Sequence, residues 1–129
     1  MSAENVEKRA YRRVQYHIED GIIANFLLSD GEAFAALIRD LSAGGISLHV
    51  SDEQAEKIKA GDRLVLQQII GTSHLDVIHN INTQIEWIKA LGDEGYVGVG
   101  CHYEDVEAEV EAQLIKFVDA ERMERGQYD

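Results

Sequence analysis

The sequence predicts a mainly β fold, a six-stranded antiparallel barrel followed by one C-terminal α-helix. Three observations carry that prediction. Short apolar runs rich in β-branched and aromatic residues recur from Gly21 to Tyr103, Gly-rich and Asp-rich turns separate them, and apolar residues at helical spacing appear from Val106 onward.

Each element follows from its own stretch of chain. In "GIIANFLLSDGEAFAALIRD" two apolar runs flank Ser29-Asp30-Gly31-Glu32, and Asp-Gly between such runs is a strong hairpin signal. Gly44-Gly45 then punctuates the chain before "ISLHV", the third strand, Ile46 to Val50. Ser51 to Asp62 is polar with a helix-like turn, and Gly61-Asp62 closes it before the fourth strand, "RLVLQQII". After a turn at Gly71 to His74, the β-rich stretch Leu75 to Ala90 predicts a bent fifth strand. "LGDEG" turns the chain again, and Tyr96 to Tyr103 is the sixth strand, where Gly98 and Gly100 predict a close backbone approach or a bend. In the tail, Asp105 is the expected N-cap. Val106, Val110, Leu114, Phe117, Val118 and Ala120 to Met123 form the expected apolar stripe, while Glu107, Glu109 and Glu111 form a solvated face.

Length and charge bound the rest. A chain of 129 residues fits one domain with a core of its own. Residues 1–13 lack apolar periodicity and read as a flexible basic arm, leaving residues 14–129 as a single domain, with the barrel at about 14–103 and the helix at about 105–125. The single cysteine, Cys101, excludes an internal disulfide and reads as a small core hydrophobe. No apolar run is long enough to cross a bilayer and no leader precedes the domain, so a soluble, cytoplasmic protein without a membrane partner is expected. A net charge of -12 argues against gripping a nucleic acid duplex or an acidic membrane through the general surface. An anionic ligand must therefore meet a local basic site.

Such a site is present near the N-terminus. Lys8, Arg9, Arg12 and Arg13 lie together, against 24 acidic and 12 basic residues in the whole chain. Arg9 and Arg13, four apart, point to the same side in an extended or a helical segment. Two guanidinium forks on one side can clamp a phosphate, or one can take the O6 and N7 edge of a guanine. A second constellation, "DLSAGG", falls where the second strand ends. Asp40 and Ser42 share a face of an extended chain, Gly44 and Gly45 allow a tight return, and their N–H groups suit an anion. A carboxylate can accept from guanine N1 and N2, and a serine hydroxyl can bond a phosphate oxygen. Taken alone, the same residues also suit a hairpin in which Asp40 and Ser42 cap their own turn.

Together, Arg-x-x-x-Arg followed about one hairpin later by Asp-x-Ser-x-x-Gly resembles the PilZ family of cyclic di-GMP receptors. The family's arginines fall on Arg9 and Arg13, and its aspartate, serine and glycine on Asp40, Ser42 and Gly45. "IEWI" around Trp87 and "GVGC" before a terminal helix are similar to that family too, so the resemblance spans Lys8 to about Met123. One departure is Cys101, which stands where many relatives have phenylalanine. The resemblance implies a receptor rather than an enzyme. It implies a ligand, cyclic di-GMP, held by Arg9, Arg13, Asp40, Ser42 and Gly45, with Lys8, Arg12, Gly44 and Trp87 as secondary candidates. It also implies an unidentified downstream protein and no further cofactor. The alternative is a protein-interaction module that binds no nucleotide.

Other chemistry finds little support. His49, His74, His79, Cys101 and His102 lack any recognised zinc-ligand spacing, so no metal site is expected. Neither a nucleophile motif nor a glycine-rich phosphate loop with its lysine occurs.

Overall fold

The structure, a computed structural model, describes residues 11–72, 79–92 and 95–128. It contains strands β1 (Val14–Gln15), β2 (Ile23–Leu28), β3 (Ala33–Leu41), β4 (Gly45–Ser51), β5 (Arg63–Ile70), β6 (Ile81–Ala90) and β7 (Tyr96–Glu104). A one-turn helix α1 (Asp52–Ala55) follows β4, and the helix α2 (Ala108–Glu124) ends the chain. Strands pair antiparallel in the order β1-β3-β2-β5-β6-β7-β4, and β3 also pairs with β4. Strands β2 to β7 therefore close as a six-stranded barrel, which leaves no free edge along its wall. β1 lies outside the ring, added to the end of β3.

Alternation along the strands fills the barrel. Phe26, Phe34, Ile38, Leu41, Ile46, Leu48, Leu64, Leu66 and Ile85 are almost fully buried, with Phe26 and Phe34 meeting edge to face at 6.3 Å between ring centroids. The β2–β3 hairpin forms as expected. Gly31 takes φ +88°, the Asp30 side chain accepts from the Glu32 N–H at 2.8 Å, and the Leu28 N–H donates to the Glu32 carbonyl at 2.9 Å.

Two irregularities in the ladder matter for function. The β3–β4 register slips between Ile38 and Asp40, and the β6–β7 register slips between Ile85 and Trp87. Each is a bulge, one extra residue that breaks the period of two. At the first, Ile38 and Leu41 point inward while Arg39 and Asp40 between them stay on the outer side. At the second, Ile85 points inward and both Glu86 and Trp87 lie outside the core.

The C-terminal helix starts later than expected. Asp105 is not its N-cap, because it takes φ +55° and turns the chain out of β7; Glu107 occupies the cap position without a side-chain cap bond. The apolar stripe also ends early. Leu114, Phe117 and Val118 join the core, but Met123 is 64% exposed, and the buried residue one turn beyond Val118 is Glu121. Its carboxylate accepts from the Tyr16 hydroxyl at 2.8 Å. Further along, the Gln127 side chain donates to the Gln15 carbonyl and accepts from the Gln15 N–H, both at 2.8 Å, completing the unpaired edge of β1 like a neighbouring strand. Arg122 donates to the Arg13 carbonyl at 3.1 Å. The helix and its tail thus hold β1, a short strand that the sequence reading does not predict. The first part of the expected fifth strand, Leu75 to Ile78, lies outside the described residues.

Candidate functional site

β1 brings Arg13 to the DLSAGG turn. Val14 pairs with Leu41 and Gln15 with Asp40, so the residue before Val14 arrives beside the C-terminal end of β3. The bulge at Arg39 presents Asp40 there, and Arg13 Nη1 donates to Asp40 Oδ1 at 2.8 Å. The arginine side chain is 53% exposed and the aspartate 15%, so the pair is half in water and adds little to stability. Its consequence is geometric, since the carboxylate fixes one side of the guanidinium.

Ser42 and the glycines build the turn between β3 and β4. The Ser42 Oγ accepts from the Gly44 N–H at 3.1 Å and the Gly45 N–H at 3.2 Å, and Ser42 N–H donates to the Gly45 carbonyl at 2.9 Å. The hydroxyl caps its own turn. Asp40 does not, because its carboxylate reaches across to Arg13. A side chain at Gly45 would put its Cβ 2.4 Å from the Cys101 carbonyl oxygen, so only glycine lets β4 start this close to β7. Gly44 lies under the Tyr11 ring, where a Cβ would come within 3.0 Å.

Next to this turn is a cavity of about 600 Å³, a size usual for small-molecule sites. Arg13, Ser42, Gly44, Gly45 and Ser47 line it together with Glu86, Trp87, Gly100, His102 and Tyr103, and Tyr11, Val106 and Glu111 also border it. Trp87 lies against Gly100 so closely that a Cβ there would come within 2.1 Å of the indole. The close approach expected at Gly98 and Gly100 is thus present, with Leu91 against the first and Trp87 against the second. Lys89 Nζ stands 5.3 Å from the indole centroid. His102 Nδ1 is 2.8 Å from Glu86 Oε1, an ion-pair distance without hydrogen-bond alignment.

Two hydroxyls in the lining are buried without partners, Ser47 Oγ and Tyr103 Oη. Native proteins seldom bury polar atoms unpaired, so both are unmet hydrogen-bonding capacity beside the cavity. Burial pushes the Tyr103 phenol far above its usual range, keeping it neutral. The Cys101 thiol is pushed up to about 12, again chiefly by burial, and behaves as an inert core group.

Of the residues singled out from the sequence, Arg13, Ser42, Gly44, Gly45 and Trp87 meet around this one cavity, and Asp40 touches it through Arg13. Arg12 faces a neighbouring groove with Tyr11, Ala43, Ile115, Val118 and Asp119. Lys8 and Arg9 lie outside the described residues, as does His74. Among the described residues, no group of three or more His, Cys, Asp or Glu side chains is placed to hold a metal ion, and no helix is long and apolar enough to cross a membrane. Sequence reasoning missed Ser47, Glu86, His102 and Tyr103. A strict period of two would assign Glu86 and Trp87 to opposite faces, and only the bulge puts them together.

Comparison with known proteins gives consistent findings. The model of the PilZ domain matches residues 7–120. The flagellar brake protein YcgR 2 of Paraburkholderia phytofirmans is 33% identical over 100 residues, covering 76% of this chain and 38% of that protein. YcgR 1 of the same organism is 33% identical over 60 residues, covering 46% of this chain and 23% of its own length. The chain thus spans well under half of these relatives. Among solved structures, the PilZ domain of Escherichia coli YcgR with c-di-GMP superposes with a TM-score of 0.68 at 16% identity, covering 93% of this chain and 95% of that one. The Bacillus subtilis inhibitor of motility MotI/DgrA superposes with a TM-score of 0.67 at 17% identity, covering 92% of this chain and 52% of that one. A barrel of six antiparallel strands with a terminal helix, a family match across most of its length, and an intact Arg-x-x-x-Arg and Asp-x-Ser-x-x-Gly pair place this chain in the PilZ domain family.

Proposed function

We propose that this chain is a cyclic di-GMP receptor which signals to a partner protein by changing conformation, and that it is not itself an enzyme. The observation that carries this reading is the Arg13–Asp40 ion pair at the lip of a cavity bounded by the Ser42–Gly45 turn and by Trp87. Asp40 engages one Nη of Arg13 and leaves the remaining guanidinium donors for a phosphate or a guanine edge. Arg9, four residues earlier, supplies the second fork, and Lys8 and Arg12 add positive charge.

In this reading the part of the arm before Tyr11 closes over the ligand and joins Arg13, which already stands against Asp40. Fixing it costs roughly 1–2 kcal/mol per backbone residue, so affinity depends on several charge-assisted bonds forming together. The partner then reads a surface on which arm charge has been neutralised by phosphate.

Isothermal titration calorimetry with cyclic di-GMP tests the proposal and counts the ligand molecules bound per chain. Saturable binding with a preference over cyclic di-AMP is expected. Absence of binding would leave a protein-interaction module as the better reading.

A further inference from the structure

We infer that the outer face of β2, β3 and β5 is a docking surface for a second copy of this chain, and that the pair presents two candidate ligand sites at once. The ring closes in the order β3-β2-β5-β6-β7-β4, so β2 stands across the barrel from β7. The cavity is lined from β6, β7 and the turn before β4, and two barrels joined at β2 therefore leave both cavities open.

Strand pairing assembles the face. Ala24, Phe26, Phe34, Ala36, Leu64 and Leu66 fill the barrel, which leaves the alternate residues of the same strands outside. Leu37, Ile23 and Ile70 are cross-strand neighbours in one outer row, and Ala33, Leu27 and Val65 form another. Between these rows lie Ala35, Asn25 and Gln68. None of these side chains is buried, and Ile70 is 45% exposed.

Charge decides what can cover the face. The chain carries a net charge of -12 and 28% of its residues are charged, yet all three rows are free of charge. Along β6, by contrast, Glu86 and Lys89 stand exposed outside the core. A second copy is repelled by the general surface and approaches where charge is absent. The polar residues left on the face are amides. A register slip between β2 and β5 puts both Gln67 and Gln68 outside, Asn25 is at the centre of the rows, and Asn82 pairs with Val65 at their edge. An amide both donates and accepts, so it bonds its own copy across a two-fold axis, whereas a carboxylate or an ammonium repels its own copy. Charges at the rim are already matched, Lys57 with Glu32 at 2.6 Å and Arg63 with Glu104 at 3.2 Å.

In the pair the two sheets stack face to face, with Asn25 on the two-fold axis and β2 antiparallel to its copy. The Leu37 end of each face then meets the Ala33 end of the other, a large side chain against a small one. Five residues along each of three strands give a footprint on the order of 250 Å². That is well below the roughly 800 Å² per partner of a standard complex, so the dimer is weak and concentration-dependent.

Sedimentation equilibrium on the full chain, from micromolar to millimolar concentration, should show a shift from the mass of one chain towards that of two, with or without cyclic di-GMP. Ile70→Asp and Asn25→Lys, each with a melting curve matched to the wild type, should weaken association more than tenfold. The first buries a carboxylate among apolar side chains, and the second sets a charge against its own copy. Asn25→Asp should act likewise, and an equimolar mixture of Asn25→Lys with Asn25→Asp should restore association, since residue 25 meets its own copy on the axis. Ile115→Asp, at an apolar residue 41% exposed on α2, should leave association unchanged. A wild type that stays monomeric over the whole range overturns the proposal and leaves the face to a partner of another kind. Association that survives Ile70→Asp and Asn25→Lys, that is lost in Ile115→Asp, or that appears only with cyclic di-GMP places the interface elsewhere and overturns it equally. So does a mixture that associates no better than its components. None of these outcomes bears on cyclic di-GMP binding itself, which calorimetry reads separately.

Discussion

At Arg13 two roles are divided between side chain and backbone. The guanidinium pairs with Asp40, while the carbonyl accepts from Arg122 and so belongs to the clamp on β1. Arg13→Ala should therefore leave the fold intact and weaken cyclic di-GMP binding more than tenfold, since a hydrogen bond to a charged group contributes about 1.5–3 kcal/mol. Arg9→Ala should do the same. Calorimetry on both variants decides, and unchanged affinity in both would remove the assignment. Gly45 tests packing instead of binding. A Cβ placed 2.4 Å from the Cys101 carbonyl oxygen cannot be relieved by turning a flexible side chain, because the obstacle is backbone. Gly45→Ala is expected to cost about 1–3 kcal/mol and to lower Tm by several degrees, read by differential scanning calorimetry.

At the scale of elements, the terminal helix is the support for the strand that carries Arg13. Val14 is fully buried, Gln127 completes the edge of Gln15, and Tyr16 is bonded to Glu121. The Arg125 guanidinium lies 4.5 Å from the centre of the Tyr16 ring, and its Nε is 3.6 Å from Glu121. Tyr16→Phe removes a close donor from a buried carboxylate and leaves the longer contact to Arg125. A loss of about 1–3 kcal/mol in urea unfolding is expected. Alkali should act on the same bond. Burial and the Glu121 contact push the Tyr16 phenol far above its usual range, so its contribution is complete below about pH 10 and declines as pH rises beyond the value for an unfolded tyrosine. In Tyr16→Phe the stability lost between pH 9 and about pH 11 should be smaller than in the wild type. An equal slope in both proteins would assign the alkaline transition to other groups.

Across the whole molecule, the barrel is a closed ring and the candidate site lies on its outside, between the added strand β1 and the floor made by β6 and β7. Ligand binding should thus change the arm far more than the barrel wall. In amide hydrogen exchange, residues from Lys8 to Arg12 should gain protection on addition of cyclic di-GMP, whereas β5, on another part of the ring, should barely change. Equal exchange of the arm with and without saturating ligand would refute closure of the arm even if binding is measured.

Much of this protein was determined by local sequence. Apolar runs and turn chemistry placed β2, β3, β4, β5 and β7 close to their observed limits, because each strand carries the apolar residues it buries and each turn a residue suited to it. Arg-x-x-x-Arg and Asp-x-Ser-x-x-Gly were legible because motifs depend on spacing alone. Tertiary structure decided the rest. β1 is two residues long and has no pattern of its own; it exists because β3 runs on past its pairing with β2, leaving Asp40 and Leu41 to pair with β1, and because α2 packs against it. Glu121 reads as surface charge until Tyr16 is brought to it from the other end of the chain. Glu86 and Trp87 share a cavity only because a bulge breaks the period of two, and a bulge is a property of two paired strands rather than of either one.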